Sequence, residues 1–310
     1  MHIFGFMDKQ SLPLVSIITL NYNQAKVTAD LLASLRHITY SPVEIIVVDN
    51  ASPDNPEKMI TEQYPEVQFI RTDQNLGFAG GNNVGIEMAK GKYVLLLNND
   101  TEVAPDFLEP LVECMEQDSQ IGACSPKIRF FQTKNHIQYA GSTPIDSVRV
   151  ASYAIGYGEE DKGQHDQSGG PTHLAHGAAM MVSSKAIEKA GLMEASFFLY
   201  YEELDWCEHI KKAGFSIHFV PQSLVLHKES MSVGKNSPLQ LYYKTRNRIF
   251  FARRNLKGSQ RWIALLYLIG LVAPVRLLKL LLKGNFKNFK IYLKAVSWHS
   301  VLFKRYSLFK

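Results

Sequence analysis

Two hydrophobic spacings alternate along the first hundred residues. "LVSIITL" (14–20) and "VEIIVV" (43–48) are short β-branched apolar runs closed by polar residues, the pattern of strands buried on both faces of a parallel sheet. Between them, "QAKVTADLLASLRHI" sets Leu31, Leu32, Leu35 and Ile38 on one helical face, which completes a β-α-β unit. The alternation predicts a further strand over 67–71, a helix over 82–90 and a strand over 93–97. An α/β fold with a parallel sheet follows. Ligands of such sheets bind outside the carboxyl ends of the strands, and Asp49-Asn50 and Asn98-Asn99-Asp100 stand at two such ends.

Beyond residue 155 the punctuation changes. "GYGEEDKGQHDQSGGPTH" (156–173) is rich in Gly and polar residues and predicts a mobile loop. "HGAAMMVSSKAIEKAG" predicts a strand and a short helix, and "FFLYYEELDWCEHIKKAGF" leads into a helix ending at Gly214. "SIHFVP" predicts another strand, with "SLVLHKES" after it.

From residue 256 the chain is apolar and basic. Residues 262–275 are 14 positions without a charge, short of the ~20 that a membrane span needs. Arg276, Lys279, Lys283, Lys287, Lys290 and Lys294 then recur at spacings of three and four, with leucines and phenylalanines between them and a predicted break at Gly284-Asn285. Charge sharpens the division: residues 1–229 carry 17 Lys/Arg against 29 Asp/Glu, and residues 230–310 carry 17 Lys/Arg and no acid. This predicts a basic amphipathic helical segment that lies in an anionic membrane surface without crossing it. The expected domains are 1–255 and a membrane-associating tail, 256–310. Three cysteines without a CxxC pair argue against a disulfide framework and for a reducing setting. The first residues show no basic n-region and no long apolar run of a leader.

An aspartate at a strand's carboxyl end can hold Mg²⁺ or Mn²⁺ together with phosphate oxygens and water. It can equally serve a local turn. The glycines of "QNLGFAGGNNVGIEMAKG" (74–91) let backbone approach a phosphate closely. Neither GxGxxG after the first strand nor GxxxxGK[ST] is present.

Taken in order, "VSIITLNYN", "EIIVVDNAS", "NLGFAGGNN", "YVLLLNND" and "FFLYYEELDW" resemble the inverting family 2 glycosyltransferases of GT-A fold, and in particular their rhamnosyltransferase-like bacterial branch. The resemblance spans roughly residues 13–250. It implies a Rossmann-like mixed sheet flanked by helices, with nucleotide contacts from Thr19, Asn21, Asp49, Asn75, Gly77, Asn82 and Asn98. It also implies a divalent cation (Mg²⁺ or Mn²⁺) on Asp100 and His227, with Asn98 replacing the first acid of a DxD motif. Glu203 is the implied catalytic base, since glycosyl transfer to a hydroxyl needs a carboxylate to accept the proton. One base on the acceptor side means single displacement with inversion. Glu202, Asp205, Trp206, Arg246 and Asn247 are expected on the acceptor side, with His176 at the acceptor or sugar and Tyr243 and Arg248 near a diphosphate.

The resulting expectation is a transferase moving a sugar from dTDP-rhamnose or a UDP-sugar to a lipid-linked saccharide acceptor. It would work at the cytoplasmic face of a bacterial inner membrane, as a peripheral protein without a nucleic-acid partner. A nucleotidyltransferase is the rival enzyme, but the place of its basic Gly-rich loop holds "NYNQ". The non-enzymatic rival is a membrane- or RNA-binding module built on a degenerate domain.

Overall fold

The computed structural model describes residues 12–228 and 237–306. Residues 1–11, searched above for a leader, lie outside them. The chain divides into two compact units: residues 1–143, 154–196 and 202–232 form the first, and 144–153, 197–201 and 233–310 the second. The expected boundary at 255 therefore falls inside the second unit.

The first unit is built on one ten-stranded sheet. In chain order it holds β1 (Val15–Asn21), α1 (Ala25–Leu35), β2 (Val43–Asp49), α2 (Glu57–Gln63), β3 (Gln68–Arg71), α3 (Gly77–Met88), β4 (Tyr93–Leu97), β5 (Thr101–Val103), α4 (Leu108–Gln117), β6 (Ile121–Phe130), β7 (Ile137–Tyr139), β8 (Gly170–Thr172), β9 (Ala179–Ser183), α5 (Ser184–Ala190), α6 (Glu202–Lys212) and β10 (Ser216–His227). The strand order is β3-β2-β1-β4-β9-β6-β10-β5, with β7 on β6 and β8 on β10. β3, β2, β1 and β4 run parallel, whereas β9 is antiparallel to both β4 and β6.

Alternate side chains of each central strand enter different cores, which is why these strands read as unbroken apolar runs. Ile17, Val47 and Leu95 pack with α1 and α4 residues such as Leu31, Leu35, Leu108 and Leu111. Ile18, Ile46 and Leu96 pack on the other face with Ala79, Ile86, Trp206 and Ile210 of α3 and α6.

α3 begins at Gly77, five residues before the predicted start. Its glycines fooled the propensity reading because they serve packing. A Cβ on Gly81 would stand 2.4 Å from Leu20 Cδ1, and one on Gly85 2.5 Å from Ile18 Cγ2. Helix and sheet thus approach more closely than any side chain permits. β10 carries the strand predicted at "SIHFVP" on through "SLVLH", around a register shift between Val220 and Leu224 that accommodates Pro221. Residues 156–173, expected to be mobile, are anchored: Lys127, itself buried, pairs with Asp161 and Asp166, and β8 joins the sheet. The three cysteines are free.

The second unit contains α7 (Pro238–Asn255), α8 (Gly258–Leu265), a π-helical stretch (Leu266–Val272), α9 (Ala273–Leu282) and α10 (Phe286–Tyr306). The predicted break is present: Gly284 takes φ +63°, and Asn285 Oδ1 caps α10 by accepting the Asn288 N–H at 3.1 Å. Residues Gly258–Leu282 make one 25-residue helix, long and apolar enough by length and composition to cross a membrane. The charge-free stretch had looked too short because the helix continues through Arg276 and Lys279.

Candidate active site

The carboxyl ends of β1, β2 and β3 carry a buried polar cluster centred on Asp49. Its carboxylate accepts from Asn21 Nδ2 (2.7 Å), Ser52 Oγ (2.5 Å), the Ser52 N–H (3.1 Å) and Arg71 Nη1 (2.8 Å). Four donors fill the four lone-pair positions of a carboxylate, and the desolvation of a fully buried charge is met by the Arg71 guanidinium. Arg71 comes into place by register, since it lies opposite Asp49 in the β2–β3 ladder. The sequence reading did not single out Arg71, Ser52 or Thr28. Thr28, on α1, donates to Asn21 Oδ1 at 2.8 Å and accepts from Asn99 Nδ2 at 3.1 Å. A continuous hydrogen-bonded line therefore joins Asp49 to the Asn98–Asp100 turn.

Other expected nucleotide contacts surround this cluster. Thr19 is fully buried, and its hydroxyl has no hydrogen-bond partner in the protein among the described residues. Asn75 caps the approach to α3: its Oδ1 accepts the Gly77 N–H at 2.8 Å and Asn50 Nδ2 at 3.1 Å. Gly77 has φ +72°, a conformation that favours glycine. Asn82 is buried and turns its amide to Phe78 O within α3. Asn98 is tied by its own N–H to Ala178 O at 2.9 Å.

β10 pairs antiparallel with β5, placing His227 opposite Thr101 and next to Asp100. His227 Nε2 lies 3.1 Å from Asp100 Oδ1, and both residues are buried. Gln138 of β7, absent from the sequence reading, meets His227 Nδ1 through Oε1 at 2.8 Å. With Nδ1–H donating to Gln138, the Nε2 lone pair faces the Asp100 carboxylate. One carboxylate and one imidazole nitrogen aimed at a common point fit a hard divalent cation such as Mn²⁺ or Mg²⁺, which takes one or two protein ligands and fills out with phosphate oxygens and water. Among the described residues no group of three His, Cys, Asp or Glu side chains assembles.

Residues 176–178 link this corner to α6. Gly177 backs onto Glu203, whose Cγ would lie 3.7 Å from a Cβ at position 177. His176 is buried with its ring centroid 6.2 Å from that of His227. Burial, reinforced by His227, lowers its pKa to about 3. Its Nδ1 accepts the Ala178 N–H at 3.1 Å, so neutral His176 carries its proton on Nε2. Glu203 occupies the first turn of α6 together with Glu202 and Asp205. Asp205 is buried and lies 3.9 Å from His209 on the same helix.

Three expected acceptor contacts take other places. Trp206 is buried in the core, with Nε1 donating to Gly191 O at 2.7 Å, because the i, i+4 pair Trp206–Ile210 is the inward stripe of α6. Arg246 and Asn247 lie in the second unit, buried, and direct their donors to the backbone of residues 197–200. Of the cationic surroundings expected there, Arg248 also serves backbone, donating to Arg149 O at 2.6 Å.

A mixed sheet with a buried polar cluster at its parallel end, an Asp–His corner and an acidic helix start is the layout of a GT-A glycosyltransferase. The chain belongs to the family Glycosyl transferase family 2, whose model matches residues 16–191. It is 25% identical over 278 residues to the N-acetylglucosaminyl-diphospho-decaprenol L-rhamnosyltransferase of Mycobacterium tuberculosis, covering 80% of this chain and 88% of the relative. It is 22% identical over 228 residues to the dTDP-rhamnosyl transferase RfbF of Shigella flexneri, covering 68% and 71% of the two chains. Its fold matches the mannosyltransferase PcManGT of Pyrobaculum calidifontis, solved with GDP-Man and Mn²⁺, at TM-score 0.58 and 16% identity over 95% of this chain and 77% of that one. The protein is thus an enzyme that forms glycosidic bonds.

Proposed function

We propose that the enzyme transfers one sugar, with dTDP-rhamnose as the leading donor and a UDP-sugar as the other, to a lipid-linked saccharide in cell-surface polysaccharide synthesis. The two rhamnosyltransferase relatives support the donor class, and the diphospho-decaprenol in the name of one supports the acceptor class. The observation that carries the reading is the Asp100–His227 corner, tied through Asn98 and Ala178 to the segment that backs Glu203.

In this reading the polar cluster of Thr19, Asn21, Asp49 and Arg71 receives the nucleotide. The Thr19 hydroxyl is available for a ligand, and Arg71, with about a third of its side chain exposed (32%), is the outermost partner of Asp49. Asp100 and His227 would hold the divalent cation, which supplies positive charge for the leaving diphosphate. Glu203 accepts the proton of the acceptor hydroxyl as that oxygen bonds to the anomeric carbon. The bond from that carbon to the diphosphate oxygen breaks with its electron pair, and the configuration inverts. Neutral His176 presents an Nε2–H donor that would orient a sugar or acceptor oxygen, and Glu202 and Asp205 shape the acceptor side. With dTDP-rhamnose and N-acetylglucosaminyl-diphospho-decaprenol as probes, the product's new linkage should have the opposite anomeric configuration to the donor. Retention, read by NMR of the product, would rule out the single displacement.

The second unit is proposed to hold the enzyme peripherally on the cytoplasmic face of the membrane. Trp262, Ile263, Leu266, Leu271, Leu278 and Leu282 of the long helix are exposed, while Ala264, Leu268, Ala273 and Leu280 are buried. Basic side chains flank this apolar surface, as an anionic interface requires. Sedimentation with anionic vesicles that falls with salt is the expected result. Equal binding to neutral vesicles at all salt concentrations would contradict the electrostatic part.

A further inference from the structure

The sheet reverses its winding between β1 and β4. β2 and β3 lie on one side of β1 and β4 on the other, so the crevice in which such sheets take ligands opens between β1 and β4. The register shows the opening. β1 stays paired with β2 as far as Asn21–Asp49, but with β4 only as far as Ile18–Leu96. β4 keeps instead to β9 through Leu97, and the Asn98 N–H donates to Ala178 O. Carried on at the β1–β4 register, Asn21 would face Asn99 across the gap.

One side chain from outside the sheet stands in that gap. Thr28, buried in α1, donates to Asn21 Oδ1 at 2.8 Å and accepts Asn99 Nδ2 at 3.1 Å. The direction of this line is set from Asp49. Its carboxylate, paired with Arg71, can only accept, so Asn21 turns Nδ2 to it at 2.7 Å and Oδ1 to Thr28. The one hydroxyl proton of Thr28 is then committed to Asn21 Oδ1, which is nearer than the alternative acceptor, Gln24 O at 3.3 Å. A lone pair is what remains for Asn99, which has to meet it with Nδ2. Asn99 Oδ1 is left with no hydrogen bond among the described residues. The amide beside Asp100 thus takes its orientation from a carboxylate two strands away.

We infer that Thr28 is a positioning residue that couples the two halves of the donor site: a nucleoside on the Asp49 cluster orders the Asn98–Asp100 turn, and the turn then holds the cation more tightly. The inference rests on the nucleotide and cation assignments of the proposed function. Every member of the line is buried, so a hydrogen bond lost anywhere in it strands a desolvated partner. A ligand that fixes Asn21 fixes Thr28 and Asn99 with it, and a second ligand then meets a turn that is already ordered. In this role Thr28 touches neither nucleotide nor cation.

The test uses full chains of wild type, T28V, T28S and N99A. Hydrogen exchange is followed with thymidine or uridine in EDTA, so that neither phosphate nor cation reaches the turn directly. In wild type, protection should rise at 49–52, where the nucleoside binds, and also at 98–101. T28S, which keeps the hydroxyl, should behave in the same way. T28V keeps the shape and loses the hydroxyl, and should show the rise at 49–52 alone. N99A cuts the line at its other end and should give the same result, which decides the matter if T28V fails to fold. Mn²⁺ affinity, read by electron paramagnetic resonance, measures the coupling. The factor by which dTDP or UDP strengthens it should fall at least about fivefold in T28V and N99A, and stay within about twofold of wild type in T28S. A rise at 98–101 that survives in T28V or N99A, or that is missing from wild type while 49–52 responds, would overturn the inference and leave the nucleotide reading standing. No response at 49–52 to either nucleoside would overturn both.

Discussion

Replacing Glu203 by Gln lowers turnover by about 10²- to 10⁴-fold and leaves nucleotide-sugar affinity within about twofold of wild type, the loss expected when a positioned proton acceptor is removed. Gln is nearly isosteric, so the first turn of α6 and the contact with Gly177 persist. What is lost is the acceptor for the hydroxyl proton. A merely structural acid at a helix start would be worth only about 0.3–1 kcal/mol to stability, with no effect specific to turnover. Steady-state kinetics beside calorimetric donor binding separates the two. A variant that turns over normally would remove the base from Glu203 altogether.

The second large effect is expected at the Asp100–His227 corner. Asp100→Ala removes the carboxylate that lies 3.1 Å from His227 Nε2. Mn²⁺-dependent nucleotide binding should then fall by about 100-fold or more, and turnover by about 10²- to 10³-fold, as for loss of a major electrostatic stabiliser of the leaving group. His227→Ala should fall in the same direction by less, because a carboxylate remains for a hard cation. Titration of Mn²⁺ followed by electron paramagnetic resonance, with dTDP present, measures this directly. Unchanged Mn²⁺ affinity in both variants would place the cation elsewhere.

These two predictions rest on residues that the resemblance to the family proposes, at a strand end and an acidic helix start of the kind that leave marks along the chain. The strands β1, β2 and β4 were legible for the same reason: burial on both faces demands unbroken apolar runs. Residues that act through register were not. Arg71 becomes a partner of Asp49 only when β3 pairs with β2, and Gln138 reaches His227 only when β7 pairs with β6 beside β10. Thr28 looks like any polar position of an amphipathic helix, yet it bridges Asn21 and Asn99.

Other differences have equally local causes. Glycine's low helix propensity hid the first turn of α3, because the packing of Gly81 and Gly85 against β1 overrides it. Pro221 looked like the end of a strand, whereas β10 passes it by shifting register. Trp206 follows the acidic pair in sequence but turns inward with the helix, so proximity along the chain misdirected it to the acceptor. Arg246 and Asn247 read as exposed polar chemistry on a basic helix. In the fold they are buried and hold backbone.

Calorimetric binding of a panel of nucleotide sugars to the wild-type chain, in Mn²⁺ and again in EDTA, tests the central claim most directly. One donor class, dTDP-rhamnose foremost, is expected to bind with Mn²⁺ and to lose at least tenfold in affinity in EDTA. Binding of no nucleotide sugar under either condition would contradict it, because the cluster around Asp49 and the Asp100–His227 corner would then have no donor to hold.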